Sequence, residues 1–479
     1  MSIHSIMTSF IYINIFIVAI CLCSCKSEKS LNTVHHQVIS VQKHLPKIDG
    51  KEDLLISQDT TNAVFEGLKR KKLVVKYYQS QGGNLIWIQG GKLTFLADSL
   101  IQLIHRVQYY GFPQGCYHLH ELADSNSINH KPDLIRKDIL LTDAFIDLAQ
   151  NLKYGVNGSQ GWKEDSTSLE LLNTVLSGSG LKKTLEGQEP EHGGYVGLKK
   201  ALQLMLDSTS YQFTDSISLQ RNFRLIAINL ERWRTEKQDM KKRSIFINIP
   251  SYYLYVLEND SALFTSKVIV GTVENQTPEL SSTVEYFSVY PYWNVPKKIA
   301  IEEFLPLVKN NKDFITNNNF DILDHRGRIL NIDSVPWANF HENYFPVTFR
   351  QKEGPDNALG IIKFIFENPY AVFLHDTNAK KLFNSKTRAL SHGCIRMEKA
   401  TELAHFLMTG KPDKKSKYVD NILKDKQQKW VRLKYPIPIH IRYFTCEFKN
   451  NTFFSYPDIY SRDEVLFDLL FAGVNDIDL

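Results

Sequence analysis

Six cysteines in 479 residues are too few for a disulfide-built scaffold, and 17 prolines are too few for a proline-rich stalk. No apolar run reaches the about 20 residues that a membrane-spanning helix needs. An excess of one charge is missing too. Lys and Arg number 57 against 52 Asp and Glu, and the resulting +5 is too small for this length to point to nucleic acid. No internal repeat is visible. What remains is 43% hydrophobic and 23% charged, an ordinary globular mix, in a chain long enough for two or three domains.

The one apolar run worth naming is Phe10 to Cys23, interrupted by Asn14. It is too short to span a bilayer and suits the core of a signal peptide. It ends in Leu22-Cys23-Ser24-Cys25, which resembles the bacterial lipobox, whose cysteine is lipidated and becomes the mature N-terminus. The stretch ahead of the run departs from pattern, with His4 but no Lys or Arg. We therefore read residues 1–24 as a lipoprotein signal peptide, Cys25 as the lipidation site and residues 25–50 as a polar tether. A plain signal peptide or an uncut anchor are the alternatives. The location implied is the periplasm of a Gram-negative bacterium, with the chain anchored to membrane through lipid. Cleavage would remove Cys21 and Cys23, leaving Cys116, Cys394 and Cys446 as thiols, an odd number that leaves at least one unpaired.

Residues 51–242 carry helical patterning. Leu100, Leu103, Ile104 and Val107 fall at helical spacing, and an apolar helix opens at Ile139 and runs towards Leu152. A further stripe follows at Leu219, Phe223, Ile226, Leu230 and Trp233, which Asp215 or Ser216 could cap. The period changes after Lys241-Lys242-Arg243. Short β-rich runs follow at 244–249, 253–257, 263–270 and 283–289. The fold class expected is α+β: a helical scaffold domain over 51–242, then a β-rich catalytic domain over 243–445. Its polar, Asn-rich stretch 297–345 reads as an inserted lid. Residues 446–479 read as a C-terminal extension packing on the catalytic domain.

The chemistry lies in Tyr370-Ala371-Val372-Phe373-Leu374-His375-Asp376-Thr377 and Leu390-Ser391-His392-Gly393-Cys394-Ile395-Arg396-Met397. His375 ends an apolar β-rich run and so sits on a rigid element. Cys394 follows a glycine in a turn, ahead of a helix over about 398–408. Thiolate is the nucleophilic form, and a nearby imidazole lowers the thiol pKa and shuttles the proton. The turn N–H groups of Gly393 and Cys394 are placed to stabilise an oxyanion. Such a set suits acyl transfer through a thioester.

Ser391-His392-Gly393-Cys394-Ile395-Arg396, with His375-Asp376 beginning nineteen residues before the cysteine, resembles the active-site signature of the L,D-transpeptidase (YkuD-type) catalytic domain. The likeness extends to Arg243–Leu257, Gln276-Thr277-Pro278, Tyr290–Pro296, Gly354–Gly360, Pro436–Ile441 and Pro457–Tyr460. Leu140–Phe145 and Asn229–Arg234 are similar to the helical scaffold of the family's large branch. The resemblance implies Cys394 as nucleophile and His375 as general base, the Asp376 backbone carbonyl orienting the imidazole and Gly393 contributing to the oxyanion hole. Arg396 is implied as anchor for a substrate carboxylate, with Ser391, His392, Asn357 and Phe373 as further substrate-binding residues. His392 is a rival base.

The family's substrates are peptidoglycan tetrapeptide stems, as donor and as acceptor, and carbapenem-type β-lactams are expected to acylate Cys394. No cofactor, metal or nucleic acid is implied. Hydrolysis of the same thioester, an L,D-carboxypeptidase, is the alternative within the enzyme class. A non-catalytic peptidoglycan-tethering lipoprotein is the alternative outside it. Members of this branch often insert a wall-binding module in the scaffold, but between Asp207 and Leu219 there is room for about a dozen residues, too few for one. The pair His118 and His120 reads as ordinary polar residues, and Trp293 and Trp337 fit equally the core or a donor groove.

Overall fold

The switch in sequence period coincides with a switch in backbone: helix up to Thr235, strand from Ser244. The structure, a computed structural model, describes residues 64–123, 131–156, 166–207, 216–236 and 242–472. The expected signal peptide, the lipid site Cys25 and the tether lie outside the described residues. Among the described residues, no helix is long and apolar enough to cross a membrane.

The longer helices of the scaffold include α1 (Lys71–Ser80), α2 (Phe95–Ile104), α3 (Lys131–Tyr154), α4 (Gly193–Asp207) and α5 (Ser216–Thr235). Helix α3 runs through its middle. From Ile139 to Leu152 every residue is buried, including Thr142, Asp143, Asp147, Gln150 and Asn151. A helix buried all round keeps polar groups only where each finds a partner. Asp138 accepts from the Trp87 amide at 2.7 Å and the Tyr78 hydroxyl at 2.5 Å, and burial lifts its carboxyl to about 6. Asp143 accepts from the Arg70 amide at 2.7 Å and faces His118 Nε2 at 2.7 Å. His118 is thereby engaged inside the scaffold.

Nine strands follow: β1 (Ser244–Asn248), β2 (Tyr253–Glu258), β3 (Ser261–Gly271), β4 (Leu280–Val289), β5 (Ile362–Phe366), β6 (Leu374–His375), β7 (Ala389–Ser391), β8 (Ile395–Met397) and β9 (Lys429–Arg442). Their order is β7-β3-β8-β6-β5-β4-β9-β1-β2, and β2 pairs back onto β3. Eight strands thus close on themselves with β7 beside the ring, which removes the open edges that invite foreign strands. Alternation sends Phe287, Val289, Ile362, Phe364, Leu374 and Ile395 to one core, where helix α6 (Ala400–Thr409) adds Leu403, Ala404 and Phe406.

The lid is a body of its own. Trp293–Asn294, Phe320–Leu323 and Thr348–Gln351 form a three-stranded sheet, so the insertion begins and ends a few residues outside 297–345. Trp337 is buried in its core with Phe340 and Phe349, and Trp293 packs against Phe304 and Phe320. Both tryptophans therefore serve the lid's interior.

The C-terminal extension departs from expectation. Cys446, Phe448, Leu470 and Phe471 join the scaffold's core rather than the barrel's. The reason lies on α5, whose apolar face needs a cover. Phe471 meets Phe223, the Thr445 amide donates to Asn229 at 2.9 Å, and Asp463, at the start of α7 (Asp463–Leu470), pairs with Arg232 at 2.6 Å. Ile459 and Tyr460 turn back to the barrel, Arg462 pairs with Glu279 at 2.6 Å, and Glu447 accepts from Asn248 at 3.0 Å, so the extension also touches the β-rich half. Cys116, Cys394 and Cys446 are all free thiols, so Cys116 and Cys446 do not pair.

Trp233 joins the halves, stacked between His192 and Phe444 at 4.0 Å from each ring. Replacing it by alanine empties a buried site. Trp233→Ala is expected to cost about 3–5 kcal/mol in urea denaturation, and a loss below about 1 kcal/mol would contradict this junction.

Candidate active site

Strand β6 is two residues long and pairs parallel with β8: Leu374 with Ile395, His375 with Arg396. Ala371 stands at φ +55°, which ends the extended run expected from residue 370 and leaves only the last two residues in the sheet. On its other side β6 pairs with β5, placing Lys363 opposite His375. Since Leu374, Ile395, Ile362 and Phe364 face the core, Lys363, His375 and Arg396 stand in one row on the opposite face. The turn carrying Cys394 leads directly into β8, and the Ile395 amide donates to the Phe373 carbonyl at 3.0 Å. The sheet thereby brings the two predicted segments together.

His375 is 4% exposed, and its Nδ1 lies 2.5 Å from the Asp376 backbone oxygen. A carbonyl can only accept, so Nδ1 carries the proton and Nε2 keeps its lone pair. Burial, then the nearby Arg396 charge, depress the imidazole to about 3. The Asp376 carboxylate takes no part. It accepts from the Ile361 amide at 3.0 Å and pairs with Lys380. A Cβ at Gly360 would lie 2.4 Å from Asp376 Oδ2, so glycine is needed there.

The Cys394 thiol is partly buried, and among the described residues no hydrogen bond joins it to His375. Its sulfur lies 4.0 Å from the Ala371 carbonyl. Burial pushes the thiol up, while the Phe373 amide and the Lys363 and Arg396 charges pull the other way and are outweighed. The resting pair is thus neutral thiol beside neutral imidazole. This differs from the expectation that a nearby imidazole lowers the thiol pKa, because burial outweighs the charges around the sulfur.

The turn is held from beneath. Ser391 Oγ donates to the Cys394 carbonyl at 2.6 Å and accepts from the Gly393 amide at 3.2 Å. Gly393, at φ +103°, takes a conformation that side chains avoid. Its N–H faces Ser391 rather than the site, so it is not the oxyanion donor expected. Its contribution is the turn itself.

Asn357 also differs from expectation. It is 2% exposed, with Nδ2 spent on the Lys352 carbonyl at 2.8 Å and the Pro291 carbonyl at 3.2 Å. It clasps the base of the lid and presents nothing to a ligand. Phe373 lies beside the site, its ring 5.3 Å from that of His375. His392 points to the lid, Nε2 at 2.6 Å from Glu303.

Residues 242–414 match the L,D-transpeptidase catalytic domain (YkuD), and residues 72–202 match the scaffold domain. The chain carries an L,D-transpeptidase catalytic domain behind a scaffold domain. It is also 35% identical over 238 residues to a Haemophilus influenzae protein named "Putative L,D-transpeptidase", an alignment covering 50% of this chain and 48% of that protein. The chain thus spans about half the length of the curated relative it matches.

Two parts of the candidate site escaped the sequence reading. Lys363 is one. The signal was a lone cation at an outward position of the apolar strand Ile362-Lys363-Phe364-Ile365-Phe366. Its ammonium lies 3.7 Å from the Phe373 ring centroid, and among the described residues neither it nor Arg396 has a carboxylate in ion-pair range. The other is a relay beneath the cysteine turn. Asp458 accepts from Tyr443 at 2.5 Å, the Tyr443 hydroxyl from the Tyr460 amide at 2.8 Å, and the Tyr460 hydroxyl from the Thr277 amide at 3.1 Å. Thr277 Oγ1 then donates to the Gly393 carbonyl at 2.8 Å. No local pattern joins residues this far apart in the chain.

A cleft of about 1240 Å³ lies in the scaffold, lined by Arg106, Tyr109, Lys182 and Lys199 among others, away from the thiol. Its tyrosines are spent on Asp207 and Glu186, so its size does not make it the reactive centre.

Two expectations follow. Alkylation of Cys394 by iodoacetamide, read by mass spectrometry, should rise steadily from pH 6 past pH 9, because the thiol titrates above its ordinary range. A plateau reached by pH 6 would mean a thiolate–imidazolium pair and contradict the neutral one. Thr277→Val, which removes the donor to Gly393, should slow that alkylation at fixed pH about tenfold while costing about 1–3 kcal/mol of stability. An unchanged rate would contradict the relay.

Proposed function

We propose that this protein is a peptidoglycan L,D-transpeptidase with Cys394 as nucleophile and His375 as general base. The observation that carries the reading is the β6–β8 register, which sets a tautomer-fixed imidazole beside the cysteine turn. The sulfur attacks the carbonyl between the L-centre of the diaminoacid and the terminal D-alanine of a tetrapeptide stem. Its proton passes to His375 Nε2 as the C–S bond forms. The Cys394 N–H is the remaining turn donor for the oxyanion. Collapse breaks the C–N bond, and D-alanine leaves with the proton from His375. The amine of a neighbouring stem then attacks the thioester and gives its proton to His375, and the C–S bond breaks with that proton passing on to the sulfur, leaving a cross-link and the free thiol.

The electrostatics suit a trigger. Two unneutralised cations, Arg396 and Lys363, help to keep His375 uncharged in the free protein. A substrate carboxylate on Arg396 cancels part of that field, which makes His375 a stronger base once substrate is bound. Phe373 is a wall of the site, and Ser391, Gly393 and His392 shape the turn and its contact with the lid. The lipobox-like segment ending at Cys25 supports a periplasmic, membrane-anchored location in a Gram-negative cell, which would hold the enzyme beside its substrate.

The test is incubation of the purified protein with disaccharide-tetrapeptide, products read by mass spectrometry. Cross-linked dimers are expected, with Cys394→Ala lowering them at least about 1000-fold and His375→Ala about 100-fold or more. Tripeptide without dimer would mean a carboxypeptidase. Products equal in wild type and Cys394→Ala, or none in either, would sink the enzyme reading and favour a wall tether. A carbapenem mass adduct on wild type that is lost in Cys394→Ala is the expected companion result.

A further inference from the structure

The row that holds Arg396, His375 and Lys363 does not stop there. Lys363 pairs with Ser288 of β4, and Ser288 pairs with Trp430 of β9. The neighbours Phe287, Val289 and Val431 face the core, so Ser288 and Trp430 share the outward face with the reactive residues. Neighbouring strands lie about 4.8 Å apart, which puts Trp430 about 10 Å beyond Lys363 and about 14 Å beyond His375.

Three features of this stretch lack an internal explanation. The Lys363 ammonium rests on the Phe373 ring but, among the described residues, has no carboxylate partner. Ser288 is 1% exposed, and its hydroxyl has no hydrogen-bond partner among the described residues. Buried hydroxyls in that state are uncommon and costly, at about 1–3 kcal/mol. Trp430 leaves 60% of its surface in water on a regular strand, with Arg432 next on the same face, over the Tyr286 ring at 5.6 Å. A free cation, an unsatisfied buried hydroxyl and an exposed indole in one line are the components of a polar, ring-stacking subsite.

We propose that Lys363, Ser288 and Trp430 form the acceptor subsite, for a sugar-linked stem peptide whose attacking amine carries a carboxylate on the same carbon. This rests on the acyl-transfer reading above. Arg396 lies on the strand that the nucleophile turn enters, so a carboxylate held there belongs to the acyl donor. Lys363 lies across the base. The attacking amine must surrender its proton to His375, and a carboxylate on the amine's own carbon then falls within one strand spacing of Lys363. Three extended residues span about 10 Å, so a short stem reaches from Lys363 over Ser288 and delivers its sugar end to the Trp430 indole. Ser288 hydrogen-bonds the stem's backbone on the way.

The test separates the two half-reactions in the full-length protein. Acyl-enzyme formation from tetrapeptide is followed by intact-protein mass spectrometry, and transfer is followed with tripeptide acceptors, with and without the disaccharide. Lys363→Gln should raise the acceptor KM at least tenfold, a larger change than any it makes in the acylation rate, and Lys363→Arg should keep the acceptor KM within threefold of wild type. Trp430→Ala should raise KM several-fold for the disaccharide-linked acceptor and not for the sugar-free one. Acylation and transfer falling together in Lys363→Gln would mean that Lys363 acts on the thiol, and an unmoved acceptor KM would mean no subsite; either overturns the proposal. Calorimetric titration of Cys394→Ala protein with the disaccharide-tripeptide needs no turnover. Binding at least fivefold weaker on adding Lys363→Gln is expected, and equal binding or none overturns the subsite. A wild-type protein that forms no acyl-enzyme would instead overturn the catalytic reading, with the titration still deciding the subsite.

Discussion

The site depends on one short contact, the parallel pairing of the two-residue strand β6 with β8. Side chains alternate along a strand, so a register that buries Leu374 and Ile395 must turn His375 and Arg396 to the other face. A slip by one residue would reverse all four and dismantle both the core and the reactive row. Closure of the eight-strand ring guards against such slips, since no member of the ring is left with a free edge. The Asp458–Tyr443–Tyr460–Thr277 relay, which draws on the C-terminal extension, then holds the cysteine turn against that fixed row.

Two opposed electrostatic effects set the chemistry of the resting protein. Burial penalises every charge in the row, and the two cations have no anion among the described residues to offset them. His375 yields first and stays neutral, since its proton is the one most easily lost. Cys394 keeps its proton because burial outweighs the attraction of both cations. On the proposed mechanism, a substrate carboxylate would offset the two cations and raise the basicity of His375.

The reactive segments were legible because their information is local. A glycine before a cysteine in a turn, and a histidine ending an apolar run, need no knowledge of the rest of the chain. The helical scaffold, the β-rich half and the lid were legible for the same reason, through period and polarity. What could not be read was brought in by register. Ser288, Lys363 and Trp430 lie on strands far apart in sequence, and only the order of strands in the sheet aligns them. Asn357 was expected to bind substrate on the resemblance alone, yet its amide is consumed by carbonyls at the base of the lid. The C-terminal extension packs largely on the scaffold because Cys446, Phe448, Leu470 and Phe471 share a core with Phe223 and Ile226 of α5, a long-range contact that no local pattern shows. The Gly393 amide was misread because the neighbouring Ser391 hydroxyl captures it.

His375 rests as a neutral imidazole with its proton on Nδ1, between two cations that have no carboxylate partner among the described residues. Ring-nitrogen chemical shifts of His375 in isotope-labelled protein, recorded from pH 4 to pH 8, address this most directly. The account predicts one neutral Nδ1–H tautomer across that range, with protonation setting in only near pH 3. An imidazolium that titrates with a midpoint between pH 6 and pH 7 would contradict it.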